Sequence, residues 1–299
     1  MIPDWLTLSE EVAEAIEAGR PVVALESTLI AHGLPWPANV ETAREAEAAV
    51  RAAGAIPATI AVWFGAPTVG LSAPQLEELA RAPNVLKASR RDLGAAVGSK
   101  RLAATTVSAT MALAHAAGIR AFATGGIGGV HRGEDLDISA DLGELARSPV
   151  LVVCAGAKSI LDLPRTLELL ETLGVPVLGY RTDAFPEFYV RSARRLPVSS
   201  RVETPAEAAA AFAAHVRMGG RGAILAQPCS EDVAIPETEF REAFERAELE
   251  AREQGVRGAK VTPFLLARIA ALTGGRTSVA NRALIAINAR LAAEVALLL

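Results

Sequence analysis

Short apolar runs alternate along this chain with longer alanine-rich segments in which apolar positions recur at helical spacing. The runs at 22–25, 59–62, 121–124, 150–154, 175–179 and 223–226 predict strands. The longer segments predict helices at 9–18, 39–53, 74–81, 107–117, 159–173, 204–218, 237–254, 263–272 and 279–298. Strands that alternate with helices are typical of the α/β class. We therefore expect a three-layer α/β/α fold with a largely parallel central sheet.

Local signals support individual boundaries. Thr204 precedes Pro205 and Glu207, so its side chain is placed to cap a helix. Gly174 can take the left-handed position that ends the preceding helix. The sequence has no repeat or long linker, which predicts one domain over 1–299. In sheets of this kind ligands bind beyond the carboxyl ends of the strands.

Composition narrows the classes of protein that remain. Hydrophobic residues make up 51% of the 299 residues but aromatics only 4%, so the core must be aliphatic. The net charge is -4 and no basic tract is present, which argues against a nucleic-acid polymer and leaves a small-molecule ligand. No apolar run reaches the roughly 18 residues of a membrane span, so we expect a cytoplasmic protein. Cys154 and Cys229 are expected to be small core residues.

Lysine is scarce in this chain. The only lysines are Lys87, Lys100, Lys158 and Lys260, and the remaining Lys or Arg positions are all arginine. Lys158 follows the apolar run at 150–154 and three small residues. A lysine at the end of a buried strand loses hydration, which favours a neutral amine able to attack an aldehyde or a sugar C1. The alternative is a lysine that extends to the surface.

Glu26 directly follows the strand predicted at 22–25. Desolvation at such a strand end raises the pKa of a carboxyl group and suits it to donate a proton. The alternative is a carboxylate that accepts hydrogen bonds from the next loop.

A glycine-rich stretch follows the strand predicted at 121–124 and leads to His131. Its glycines let backbone amides approach an oxyanion, although a tight turn would use the same residues. The spacing does not match a dinucleotide fingerprint. His131 is consistent with a turn residue, a ligand contact or a metal ligand.

An acidic run follows, with Ser139 near its end. Its members are Glu134, Asp135, Asp137 and Asp141. Oxygen ligands suit Mg²⁺ or Mn²⁺, which need only one or two protein carboxylates. Asp137 and Asp141 would share a face if this segment were a helical turn. A solvated acidic surface is the alternative.

Two features are candidates for a phosphate site. Lys87 begins a small basic island that includes Arg90 and Arg91, although Asp92 is placed to neutralise it. Hydroxyl residues at 105–110 open a predicted helix, where they would either favour phosphate or simply cap the helix. The residues alone therefore indicate an α/β enzyme for a phosphorylated ligand. A Schiff-base lyase, an aldolase and a glycosidase all remain open.

Long motifs at these stretches resemble the pseudouridine-5'-phosphate glycosidase family, also called indigoidine synthase A-like, from about residue 22 to 296. They are ALESTLIAHGLP, SRRDL, TTVSATM, ATGGIGGVHRG, DISADL, VVCAGAKSILDLP, GYRTDAFPEFY, VTPFLLARI and NARLAAEVA. The chain departs from the family pattern at Ala184, Gln227 and Ile287, and the loop before Asp137 is shorter.

The resemblance implies that pseudouridine 5'-phosphate and water are converted reversibly to uracil and ribose 5-phosphate, with Mn²⁺, by a homotrimer. It implies Glu26 as proton donor, Lys158 as nucleophile and Asp137 as metal ligand. The substrate contacts that it implies are Lys87, Val107, Ser139, Ala140 and Asp141, with His131 and Asn281 near the base. Two alternatives remain, a phosphosugar lyase with another leaving group and a non-catalytic phosphonucleoside-binding protein.

Overall fold

A computed structural model describes residues 2–133, 136–191, 196–256 and 261–299. The strands are β1 Thr7–Leu8, β2 Val22–Leu25, β3 Ile56–Trp63, β4 Ala66–Val69, β5 Leu86–Ala88, β6 Ala103–Thr105, β7 Ala121–Ala123, β8 Leu151–Cys154, β9 Val177–Tyr180, β10 Ser200–Val202 and β11 Ala223–Ala226. The helices are α1 Glu10–Glu17, α2 Ala38–Ala52, α3 Ala73–Arg81, α4 Leu93–Gly98, α5 Val107–Ala116, α6 Ala140–Leu145, α7 Leu163–Thr172, α8 Pro205–Arg217, α9 Glu237–Glu253, α10 Val261–Leu272 and α11 Arg276–Ala296. Leu29–Gly33 form a π-helical turn and Arg90–Asp92 a 3-10 turn.

The central sheet is largely parallel, as predicted. Its strand order is β1-β4-β3-β2-β7-β8-β11-β9-β10, with β6 paired to β3 and β5 paired to β6. Only the pairs of β3 with β4 and β6 are antiparallel among the described strands. The first half of β3 pairs with β2, and its second half pairs with β4. The long strand β3 therefore joins the β5–β6 pair to the centre of the sheet.

The two faces of the sheet carry separate apolar cores, because successive side chains of a strand point to opposite faces. Val23 and Leu25 of β2 pack in one core with α2, α8 and α11. Val22 and Ala24 pack in the other core with helices that include α5, α6 and α7. Helices thus cover both faces, and the predicted three-layer arrangement is confirmed.

Each of the predicted strands and helices overlaps an observed element of the same kind. The start predicted for the helix at 159–173 is wrong, because α7 begins at Leu163. Asp162 accepts a hydrogen bond from the backbone N–H of Arg165 at 3.1 Å, and Pro164 lies in the first turn. The Thr204 cap and the left-handed Gly174, with φ of 67°, are both confirmed.

Two smaller predictions also have clear outcomes. Both cysteines are buried, and burial raises the pKa of the Cys154 thiol to about 12 and that of Cys229 to about 11. They are therefore core residues, as expected, and remain protonated near neutral pH. None of the helices in the described ranges is long and apolar enough to cross a membrane.

Candidate active site

The carboxyl ends of β2, β7 and β8 open into a cavity of about 880 Å³, and Lys87 of β5 also lines it. Glu26 follows β2, Thr124 follows β7, and Lys158 lies in the loop after β8. Helices α10 and α11 form another wall, where Asn281 faces the cavity. The structure therefore brings together four of the predicted site residues, namely Glu26, Lys87, Lys158 and Asn281.

Glu26 lies on the cavity wall directly after β2. The residue is half-buried, and desolvation of its carboxyl group raises its pKa despite the opposing effects of the Lys158 charge and the Thr124 hydrogen bond. Thr124 Oγ1 donates that hydrogen bond to Glu26 Oε1. The carbonyl of Thr124 in turn accepts a hydrogen bond from Asn288 Nδ2 at 2.9 Å. Glu26 thus keeps its proton to a higher pH than an ordinary carboxyl group, and two further side chains fix its position.

Lys87 and Lys158 bring two amines to the same cavity. Neither forms an ion pair within the described ranges. Burial lowers the pKa of Lys87, and the charge of Lys158 lowers it further. Asp92 pairs with Arg91 of the basic island at 3.6 Å and caps the 3-10 turn through the Ser89 N–H at 2.9 Å, but it forms no ion pair with Lys87. Lys87 is therefore available to an anionic ligand.

The glycine-rich loop is shaped by close packing. A Cβ atom at Gly128 would lie 2.3 Å from Ser139 Oγ, so only glycine fits there. The Gly128 N–H donates to Asp141 Oδ2 at 2.8 Å, and the Ser108 N–H donates to Asp141 Oδ1 at 3.0 Å. Asp141 therefore joins the loop to the start of α5. The amide of Gly128 is satisfied by the protein, which favours the tight turn over an oxyanion cradle at this position.

The neighbouring candidates surround this loop. The N–H of Val107, at the first position of α5, donates to no acceptor in the described part of the protein. Ser139 caps α6, in which Ala140 is the first residue. Asp137 lies before this helix and not in it, and its carbonyl accepts from the His131 N–H at 2.9 Å. A shared helical face for Asp137 and Asp141 is therefore wrong.

The acidic run offers a limited set of ligands. Glu134 and Asp135 lie outside the described residues. Within those residues, no three His, Cys, Asp or Glu side chains form a metal-binding group. The Asp137 carboxylate is exposed and has no hydrogen bond or ion pair with a described residue. One free carboxylate is compatible with a cation that takes its other ligands from water and a phosphate.

Sequence reasoning did not select two further side chains of the cavity. His32, in the π-helical turn, lies near Lys87, and burial followed by the Lys87 charge lowers its pKa. Tyr189 lines the cavity beside Phe188, with ring centroids 4.3 Å apart. The scarcity of tyrosine, with two in the chain, was a signal that could have indicated Tyr189.

The departures from the family pattern lie away from these groups. The described residues that line the cavity include neither Ala184, nor Gln227, nor Ile287. Gln227 follows β11, where its N–H donates to the Cys154 carbonyl at 2.8 Å. The differences therefore change the surroundings of the cavity and not its reactive groups.

Comparison with known proteins gives a consistent result over nearly the whole chain. The family model for indigoidine synthase A-like proteins matches residues 11–298. A pseudouridine-5'-phosphate glycosidase from Herpetosiphon aurantiacus is 55% identical over 297 residues, which cover 98% of each chain. A second protein of that name, from Solibacter usitatus, is 54% identical over 97% of this chain and 98% of its own.

Two solved structures are similar to this protein in both fold and sequence. The prealnumycin C-glycosynthase AlnA, in complex with ribulose 5-phosphate, superposes with a TM-score of 0.91 at 43% identity. The alignment covers 99% of this chain and 97% of AlnA. An indigoidine synthase A-like protein from Thermotoga maritima superposes with a TM-score of 0.88 at 37% identity, over 99% of this chain and 98% of its own.

Proposed function

This chain belongs to the indigoidine synthase A-like family, and on that premise we propose that it is a pseudouridine-5'-phosphate glycosidase. The reaction is the reversible cleavage of the C–C glycosidic bond of pseudouridine 5'-phosphate by water, which gives uracil and ribose 5-phosphate. The observation that supports it best is the meeting of Glu26, Lys158 and Lys87 in one cavity. The assembly we propose, from the family resemblance, is a homotrimer.

The bond to be broken explains why an acid and an amine are needed together. The leaving group is a carbon atom, so a pair of carboxylates in the usual glycosidase manner is not sufficient. Glu26 protonates the ring oxygen as the ribose opens, and the Lys158 amine bonds to C1'. The amine releases a proton to the Glu26 carboxylate, which passes it to the base carbon. The C–C bond pair then moves to the base, and C1' becomes an imine of Lys158. Water hydrolyses this imine and releases ribose 5-phosphate.

The direct test is incubation of the protein with pseudouridine 5'-phosphate and Mn²⁺, with uracil measured by chromatography. We expect uracil and ribose 5-phosphate in equal amounts.

A second candidate is a phosphosugar lyase with another leaving group, which the likeness to a C-glycosynthase favours. Absence of uracil, together with a covalent adduct from ribose 5-phosphate, would support that second candidate and exclude the first.

Lys87 is proposed to bind the phosphate of the substrate. Lys87→Ala should lower kcat/KM for the phosphorylated substrate by about 10- to 100-fold, because a hydrogen bond to a charged group contributes about 1.5–3 kcal/mol. Pseudouridine without phosphate should be a poor substrate that this change hardly affects. Lys100→Ala, at an exposed lysine outside the cavity, is the control. An equal loss for both substrates would mean that Lys87 acts elsewhere.

Asp137 is proposed to hold the Mn²⁺ ion, as its free carboxylate allows. When bound, the ion would neutralise negative charge on the substrate phosphate. Chelation should abolish turnover, Mn²⁺ should restore it, and Asp137→Ala should prevent the restoration. Binding of Mn²⁺ alone, followed by electron paramagnetic resonance, should weaken about tenfold or more in Asp137→Ala and not in the exposed control Asp4→Ala. Full activity after exhaustive chelation would exclude the metal.

A further inference from the structure

Tyr189 carries a hydroxyl group that no other described residue binds. The residue is 5% exposed and lines the cavity. In the described part of the chain its hydroxyl has no hydrogen-bond partner. Four described side-chain polar atoms are sealed from solvent without a partner, and the Tyr189 oxygen is not among them, which agrees with a hydroxyl open to the cavity that the residue lines. Because buried polar groups are normally paired, an unpaired one at a cavity wall points to a ligand.

The backbone around Tyr189 holds the ring firmly beside the reactive lysine. Its N–H donates to Ser159 Oγ at 3.4 Å, and Ser159 directly follows Lys158. Its carbonyl accepts from the Ile235 N–H at 2.9 Å, and the Phe188 N–H donates to the Ala155 carbonyl at 3.0 Å. Phe188 has a φ of 60°, which a bulky residue adopts only when its surroundings enforce it. The position of Tyr189 is thus set before a ligand arrives.

The same geometry places Tyr189 at the end of the cavity that Asn281 occupies. A Cβ atom built on Gly125 would lie 3.2 Å from Asn281 Oδ1 and 3.4 Å from Phe188 Cε2, so these two side chains meet over Gly125. The Tyr189 ring contacts the Phe188 ring at an interplanar angle of 50°. The surrounding wall is largely apolar, with Pro263, Leu266 and Ile285. A flat ring with carbonyl groups on its edge suits such a surface.

We propose that the Tyr189 hydroxyl donates a hydrogen bond to a carbonyl oxygen of the pyrimidine base. This inference rests on the proposed function, in which the base departs with the electron pair of the C–C bond. Electron density on the conjugated carbonyl oxygen rises as this pair enters the ring, so the hydrogen bond strengthens in the transition state. Burial raises the pKa of the phenol well above its usual value, so Tyr189 acts as a donor and not as a base.

The test uses a matched pair, because the chain has two tyrosines. Tyr180 is 8% exposed, and its hydroxyl also lacks a partner in the described residues, but it does not line the cavity. Tyr189→Phe should lower kcat/KM about tenfold and weaken inhibition by uracil about tenfold, the effect of one hydrogen bond. Affinity for ribose 5-phosphate should stay within about twofold, and Tyr180→Phe should change none of these values.

A structural role would have a different signature. Removal of an unpaired hydroxyl leaves no protein partner unsatisfied, so the melting temperature of Tyr189→Phe should equal or exceed that of the wild type. Equal weakening of uracil and ribose 5-phosphate, or unchanged uracil inhibition, would overturn the inference.

A second measurement does not depend on turnover. With fluorotyrosine incorporated, the protein has two fluorine resonances, which Tyr180→Phe assigns, and uracil alone should shift the one from Tyr189. If the wild type produces no uracil, the proposed function fails. If the wild type produces uracil but neither fluorine resonance shifts when uracil is added, only the inference about Tyr189 fails.

Discussion

Replacement of Lys158 by alanine is expected to lower kcat by about 10⁴-fold or more while the substrate still binds. Lys158 supplies the electron pair that becomes the C=N bond as the base leaves, and no other group in the proposed mechanism can do so. Its contribution to binding is smaller, because Lys87 is a second cation in the same cavity. Single-turnover kinetics and substrate binding to the inactive variant would separate the two effects.

Replacement of Lys158 by arginine distinguishes the role of its charge from that of its nucleophilic amine. A guanidinium group stays protonated and cannot form an imine, so Lys158→Arg should be as inactive as Lys158→Ala. Lys100→Arg is the matched control and should keep full activity. Borohydride with ribose 5-phosphate should leave a mass adduct on the peptide that contains Lys158. An adduct on Lys87, or an active Lys158→Ala variant, would contradict the assignment.

Replacement of Glu26 by glutamine is expected to lower kcat by about 10²- to 10⁴-fold, the usual contribution of a positioned proton donor. A donor works below its pKa, and burial raises the pKa of Glu26. Wild-type activity should therefore fall on the alkaline side, as the pH rises through this elevated pKa. Thr124→Val removes a hydrogen bond that favours the carboxylate, so the fall in activity should move to still higher pH.

Glu26→Gln should lower activity but raise the stability of the fold. The pKa of Glu26 is higher in the folded protein than in the unfolded chain, so its ionisation destabilises the fold as the pH rises. Glutamine should therefore raise the melting temperature at alkaline pH and leave it unchanged at low pH, where both states hold the proton.

Glu47 is a matched control for that effect. Burial also raises its pKa, and it accepts a hydrogen bond from Thr59 at 2.6 Å, but it does not line the cavity. Glu47→Gln should show the same pH-dependent gain in stability with full activity. Loss of activity in both variants would indicate a structural cause and not loss of the proton donor.

The sequence predicted those parts of the fold that depend on local pattern. Runs such as 22–25 and 223–226 became β2 and β11 with the same bounds, because they are apolar on both faces and follow turn signals. The strands β4, β5 and β6 were not predicted. They are three or four residues long, and their pairing with β3 and with one another comes from distant parts of the chain. Helix α6, with six residues, is also too short for a clear periodicity.

The cavity residues likewise divide into those that a local pattern predicts and those that depend on tertiary contacts. Glu26 and Lys158 could be selected because each follows an apolar strand, and strand ends are where such folds bind ligands. The link that Asp141 makes between Ser108 and Gly128 joins three segments and depends on tertiary contacts. The scarcity of tyrosine could point to Tyr189, but only the folded protein shows that it lines the cavity and that its hydroxyl lacks a partner among the described residues.

The cavity wall is divided between two kinds of scaffold. Glu26 and Lys158 follow strands of the sheet, and Lys87 lies within one, whereas Leu266 lies on α10 and Asn281 on α11. In the proposed function, the groups that act on the sugar are thus encoded separately from the helical residues that, with Tyr189, face the leaving base. Divergence within the family can alter the aglycone by changes on two helices while the ribose chemistry is retained. Directed evolution toward new C-nucleosides would accordingly begin with libraries on those two helices.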